Sequence, residues 1–190
     1  MGAGVIPFCR HGGDTLFLLS RAFSGRKAGF LNDFGGGSDP GETHRQTAVR
    51  EFVEETETLF LEQDLSRAIR TPERVAHQIR VVEDLFERTL SAHPHWWCRR
   101  DPGSGHPPKD WVTFFIEMPW RDPRPLNRAW ALDQGQRFSR RRELSWIAAG
   151  DLVALYRDAP ERLWKRVRQL RGAPDLIREI ARSGNNRPLP

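Results

Sequence analysis

The sequence predicts a single mixed α/β domain, and three observations carry that prediction. Two short apolar runs near the N-terminus are joined by a glycine turn. A glycine-dense stretch leads into a segment with helical spacing. Two further strand-like runs follow, with helical segments around them.

The first run is Ala3 to Cys9 and the second is Thr15 to Ser20, with Gly12-Gly13-Asp14 between them; this reads as a β-hairpin. A basic loop, Arg21 to Lys27, ends in Gly29-Phe30-Leu31. Thr43 stands where a helix cap belongs, and residues 44 to 58 carry helical spacing with Ala48, Phe52 and Leu59 on the buried side. Residues 72 to 92 form a second helical segment. Pro72 suits its first turn, and Val75, Ile79, Val82, Leu85, Phe86 and Leu90 make its apolar stripe. Trp111 to Met118 is rich in β-branched and aromatic residues and reads as a core strand. Glu143 to Ile147 reads as another, followed by a helical tail through Arg182 in which Trp164 and Leu170 fit an amphipathic helix on the core.

Composition narrows the class. Hydrophobic residues at 38% and charged residues at 29% describe a foldable chain rather than a disordered one. No apolar run has the length of a membrane span, so no membrane association is expected. The N-terminal residues carry no secretory pattern, and two cysteines, Cys9 and Cys98, are too few for a disulfide scaffold; a cytoplasmic setting is the default expectation. The net charge of +5 comes almost wholly from arginine, since lysine occurs only at Lys27, Lys109 and Lys165. Arginine forks match phosphate oxygens, although a genome that spells basic residues as arginine gives the same composition.

The chemistry concentrates in Gly36 to Glu55. Glu51, Glu54 and Glu55 stand at i, i+3 and i+4, so they share one helix face and repel one another. A hard cation such as Mg²⁺ or Mn²⁺ gives such a cluster a reason to exist, because these ions prefer carboxylate oxygens and bridge them to phosphates. The glycines ahead of the helix allow close approach of backbone to a ligand.

Gly36, five residues, Glu42, seven residues and Arg50-Glu51-Phe52-Val53-Glu54-Glu55 together resemble the Nudix box in spacing and residue type. The basic loop before the glycines, the strand at 111–118 and the later Glu143-x-x-Trp146-Ile147 with Asp151-Leu152 are similar to the flanks of that family. The resemblance implies an α/β/α sandwich over residues 1–190, built on a mixed sheet with the box helix on one face. A helical insertion is expected at about 59–108, packing outside the core, and C-terminal helices at about 149–183. It implies hydrolysis of a phosphoanhydride bond in a nucleoside-diphosphate-linked or related polyphosphate substrate, with a capped RNA end among the candidates and a homodimer a common assembly. Glu51, Glu54, Glu55 and the Gly35 carbonyl would be the metal ligands, and Glu42 and Arg50 a structural pair. Glu54 is favoured as general base, with Glu51 beside it in the catalytic set; Glu143 and Glu83 are alternatives. Arg21, Arg26 and Lys27 are candidate phosphate contacts, as is the run Arg140-Arg141-Arg142; for each, a solvated surface loop is the plainer alternative. The chain departs from the box at its close, where Glu57 and Thr58 replace a glycine and an aliphatic residue, so the helix either runs on or has a rebuilt exit.

Two function classes compete with hydrolysis. A catalytically silent nucleotide- or RNA-binding module on the same fold would have less reason to keep three mutually repelling acids. A zinc site drawn from His93, His95, Cys98 and His106 matches no standard ligand spacing. Trp96 and Trp97 beside Arg99 and Arg100 suit either core packing or base stacking.

Overall fold

The computed structural model describes residues 1–62, 65, 71–104, 109–133 and 142–184. β1 (Gly2–His11) and β2 (Asp14–Ala22) form the expected hairpin, each strand longer than its apolar run. Gly12 and Gly13 hold φ of 60° and 88°, the left-handed pair that a two-residue hairpin turn needs to match the twist of its strands. The two strands pair only from His11–Asp14 back to Phe8–Phe17, and beyond that they part like a fork. β3 (Leu31–Asn32) bonds to β2, and β4 (Phe34–Gly37) bonds to β1, so residues 31–37 fill the gap. Asp33, fully buried, stands where the chain changes partner.

β6 (Trp111–Glu117) runs parallel to β1, from Gly2 opposite Trp111 to Phe8 opposite Glu117. β5 (Trp97–Arg99) lies antiparallel on its far side, and β7 (Arg142–Ala148) pairs antiparallel with β2. The result is a mixed seven-stranded sheet. Strand alternation sorts the apolar side chains into two cores. Ala3, Val5, Leu18, Phe34, Phe114 and Leu144 face α1 (His44–Glu55) and α2 (Pro72–Ala92). Ile6, Phe8, Phe17, Leu19 and Phe115 face α4 (Ala149–Asp158), α5 (Lys165–Arg168) and α6 (Ala173–Gly184), which contribute Leu152, Val167, Ile177 and Ile180. The sheet is therefore sandwiched between helices.

α2 does not sit outside the core. Val82, Leu85 and Phe86 are buried against α1 and β6, with Val75, Ile79 and Leu90 packed alongside. α3 (Arg124–Leu132) was not expected from sequence; Pro125 sits in its first turn, where proline is compatible with a helix. It buries Leu126 and Trp130 and closes the edge of β7, where the Asn127 amide donates to the Leu144 carbonyl and accepts from the Leu144 N–H, both at 2.8 Å. No helix among the described residues is long and apolar enough to cross a membrane.

Candidate active site

α1 begins with a reciprocal cap. The Gln46 amide N–H donates to the Thr43 hydroxyl at 3.2 Å, and the Thr43 N–H donates to the Gln46 side chain at 2.9 Å. Ala48, Val49, Phe52 and Val53 then pin one face of the helix to the sheet. The helix ends at Glu55, three residues short of the expected 58. Glu57 and Thr58 take φ of 54° and 62°, so the chain leaves the helix in the left-handed conformation without the glycine that makes it cheap.

The three acids therefore occupy the last two turns of α1, where the carbonyl end of the helix dipole disfavours negative charge and the last turn contains no basic residue. Their side chains differ in exposure: 9% for Glu51, 27% for Glu54 and 5% for Glu55. The Glu51 carboxylate fills the space that a β-carbon on Gly36 would need, so any side chain there would collide with it. A β-carbon on Gly35 would in turn strike the Ala3 carbonyl of the neighbouring strand. Burial, with the Glu55 charge second, raises the Glu51 carboxyl above its ordinary pKa, against the pull of Arg50.

Arg50 and Glu42 bind the loop to the helix. Arg50 Nε donates to Glu42 Oε1 at 2.7 Å and Nη2 to Oε2 at 3.0 Å, a two-pronged contact. Nη2 also donates to the Gly37 carbonyl at 2.8 Å, while Nη1 lies 3.2 Å from Glu51 and 3.4 Å from Glu54. The Asp39 N–H donates to Glu42 at 2.9 Å. The Arg50 hydrogen bond, supported by Asp39 and Thr47, lowers the Glu42 carboxyl to about 2.

Glu55 turns the other way. Its Oε2 accepts from the Gly35 N–H at 3.1 Å and lies 3.1 Å from Arg142 Nη1. Glu55 thereby lines a cavity of about 320 Å³ together with Arg26, Lys27, Asn32 and Arg142. Burial, with the Arg166 charge second, lowers the Lys27 pKa, while Glu55 and Asp33 oppose that shift.

Of the candidate phosphate contacts, Arg26 and Lys27 thus reach the cavity beside the acids. Arg21 does not: β2 alternation turns it to the opposite face, 3.5 Å from Glu143. The same alternation on β7 places Glu143 away from α1 and Arg142 toward it. Arg140 and Arg141 lie outside the described residues. Glu83 lies on α2, where its carbonyl accepts from Arg45 at the start of α1. Arg142 was flagged in the sequence only as part of an arginine run, and nothing in the run marks it as the member that faces the acids.

Behind this region Asp33 accepts from Arg166 Nε at 2.8 Å and from the Thr113 hydroxyl at 3.0 Å; the Arg166 guanidinium carbon lies over the Trp111 ring, 4.0 Å from its centre. Sequence reading missed this pair, because 133 residues separate its partners.

Among the described residues no group of three His, Cys, Asp or Glu side chains converges as a ready metal cage. The histidines flagged for zinc are otherwise engaged: His93 stacks on Trp96 at 3.6 Å, and His95 bonds Glu179 at 2.7 Å. Cys98 is buried, and His106 lies outside the described residues. The tryptophan pair divides, Trp96 being in the core and Trp97 38% exposed beneath Arg99.

The chain matches the family model of the NUDIX domain over residues 1–169. None of the curated proteins matches it significantly. Among solved structures it is similar to the binary complex of a C. elegans Ap4A hydrolase, with 17% identity, 98% of each chain covered and a TM-score of 0.48. The M. smegmatis Nudix hydrolase RenU shares 16% identity over 99% of this chain and 88% of its own, at a TM-score of 0.43. The NUDIX domain of Shewanella oneidensis NrtR, complexed with ADP ribose, shares 13% identity over 94% and 86%, also at 0.43.

Proposed function

The chain belongs to the NUDIX domain family, and on that premise we propose that it is a divalent-metal-dependent hydrolase of a phosphoanhydride bond in a nucleoside-diphosphate-linked or related polyphosphate substrate. The observation that carries this reading is the placement of Glu51, Glu54 and Glu55 at the carbonyl end of α1, beside a cavity lined by Arg26, Lys27 and Arg142. Acids and cations of that kind, side by side, suit a substrate held by its phosphates.

The donor set fits Mg²⁺ or Mn²⁺ in kind. It is all oxygen, two of its three carboxylates are nearly buried, and their mutual repulsion is only partly offset by Arg50, whose shortest contacts go to Glu42. Glu51, Glu54, Glu55 and the Gly35 carbonyl would hold the cation. When bound, it supplies positive charge that offsets the charge developing on the phosphates. Arg26, Lys27 and Arg142 take phosphate oxygens, and Arg142 can leave Glu55 as they arrive. Glu54 is the most open of the three acids, and it accepts the proton of the attacking water. Glu42, held ionised by Arg50, keeps the loop at its distance from the helix. Arg21 has no part in this scheme.

A catalytically silent nucleotide- or RNA-binding module is favoured by one observation: Arg142 already occupies Glu55. The experiment is product release from a panel of dinucleoside polyphosphates, nucleotide sugars, ADP-ribose, nucleoside triphosphates and capped RNA, with Mg²⁺ or Mn²⁺. Wild type is measured beside Glu54→Gln and Glu55→Gln. Hydrolysis by the wild type, reduced roughly 10²–10⁴-fold in Glu54→Gln while the variant stays folded, supports the enzyme. Nucleotide-dependent stabilisation without turnover on any substrate supports the silent module.

A further inference from the structure

A second opening lies at the other end of the sheet. β1 and β6 are parallel, so their C-terminal ends finish together, and α2 crosses beside them. Between them is a cavity of about 660 Å³, within the span of roughly 300–1,000 Å³ that small-molecule sites occupy. Leu85 and Arg88 reach it from α2, Cys9 and Met118 from the strands, and Trp120 and Arg121 from the segment after β6. Ala3 packs beside the box loop and Cys9 stands six residues along the same strand, so at about 3.3 Å per residue the two sites are roughly 20 Å apart.

The charges here are unevenly matched. Arg10 is neutralised by Glu117 and lies 3.2 Å from the Ser183 hydroxyl. Arg88 and Arg121 have no carboxylate partner among the described residues: Arg88 Nε reaches only the Asp84 carbonyl, and Arg121 Nε is buried with no acceptor. A buried guanidinium N–H without a partner is costly, which marks a place for a missing acceptor. The floor is apolar, and burial pushes the Cys9 thiol up to about 12, so it brings no charge. At the rim Trp120 lies flat on His11, ring centres 4.1 Å apart and 6° from parallel, with 38% of its surface open.

The exposed Arg88, the half-buried Arg121 whose Nε lacks an acceptor among the described residues, an apolar floor and an open indole match a flat aromatic ring that carries a phosphate. A phosphate monoester bears close to two charges at neutral pH, one for each arginine. We propose that this cavity is a binding site for a nucleoside monophosphate, separate from the pocket beside the box acids. The site is a receptor for a small nucleotide and needs neither metal nor turnover.

The test is calorimetric titration of AMP into the full chain in the presence of a chelator; AMP has no phosphoanhydride bond, so hydrolysis cannot intervene. The expected result is one saturable site, weakened about tenfold in Arg88→Ala and in Arg121→Ala, and unchanged in Lys27→Ala. Arg121→Lys, which keeps the charge, retains most of the affinity and separates lost charge from lost packing. Trp120→Ala weakens AMP but leaves inorganic phosphate untouched. Absence of saturable AMP binding overturns the proposal. So does binding lost in Lys27→Ala but intact in the two arginine variants, which places the nucleotide beside the box, and so does inorganic phosphate binding as tightly as AMP.

Discussion

Replacing Thr58 by glycine should stabilise the protein. Thr58 has φ of 62°, is 4% exposed, and its buried hydroxyl finds no hydrogen-bond partner among the described residues. A β-branched residue in the left-handed region costs about 1–2 kcal/mol, and an unsatisfied buried hydroxyl about 1–3 kcal/mol. Against those gains, the variant loses a buried methyl worth about 0.8 kcal/mol and restores about 0.4–1 kcal/mol of chain entropy to the unfolded state. The Thr58 N–H donates to the Val53 carbonyl at 2.9 Å, and glycine keeps that bond. The balance is a gain of about 0.2–4 kcal/mol, and for a chain of this length each kcal/mol is worth roughly 2–4 °C in melting temperature. Thermal unfolding followed by circular dichroism, Thr58→Gly beside Thr58→Ala, measures it. Alanine removes the hydroxyl but keeps most of the strain, so it should gain less than glycine. A lower melting temperature for Thr58→Gly than for wild type would show that the left-handed exit is not strained. Glu57 is the poorer target, because its buried side chain is itself engaged.

Glu51→Gln should raise the melting temperature of chelator-treated protein while removing the hydrolysis proposed above. The folded-state pKa of Glu51 is raised, so its penalty is complete above that value and gone below the unfolded one; unchanged stability at neutral pH would contradict the cause assigned. Glu42 has the opposite sign: its carboxyl is lowered to about 2 from an ordinary 4.5, so its contribution is present above pH 4.5 and is lost as the pH falls toward 2. In urea titrations across that window, wild type should lose stability more steeply than Glu42→Gln; parallel curves would remove the pair from the account. Asp33→Asn leaves Arg166 buried without its counter-charge and should cost about 3–5 kcal/mol, read as a fall in the urea midpoint; a loss below 1 kcal/mol would mean that the pair is not sealed from water.

Much of this was legible in the sequence, for reasons that can be named. The hairpin, the box helix, α2, β6 and β7 each carry their own periodicity, and the acids of α1 announce themselves by crowding at i, i+3 and i+4. What escaped depends on partners distant along the chain. Arg142 and Arg21 look alike in sequence, and only the register of β7 on β2 decides that one meets Glu55 and the other Glu143. β5 is three residues long, too short for alternation to register, and exists because β6 offers it an edge. The exit of α1 was readable as unusual but not as left-handed, since glutamate and threonine give no local sign of that conformation.

The fork in the hairpin has a consequence for the order in which the molecule is made. The wedge that fills it, residues 31–37, is available early, but Asp33 at its centre finds Thr113 and Arg166 only after 80 and 133 further residues. At the pace of synthesis, about 5–20 residues each second, the second of those delays is roughly 7–27 s. Through that interval the box acids stand on a helix whose neighbouring segment, residues 31–37, has no anchor yet. The region around the box is therefore completed from the far end of the chain, and a ribosome that stalls before residue 166 leaves every box residue synthesised without the Arg166 partner of Asp33.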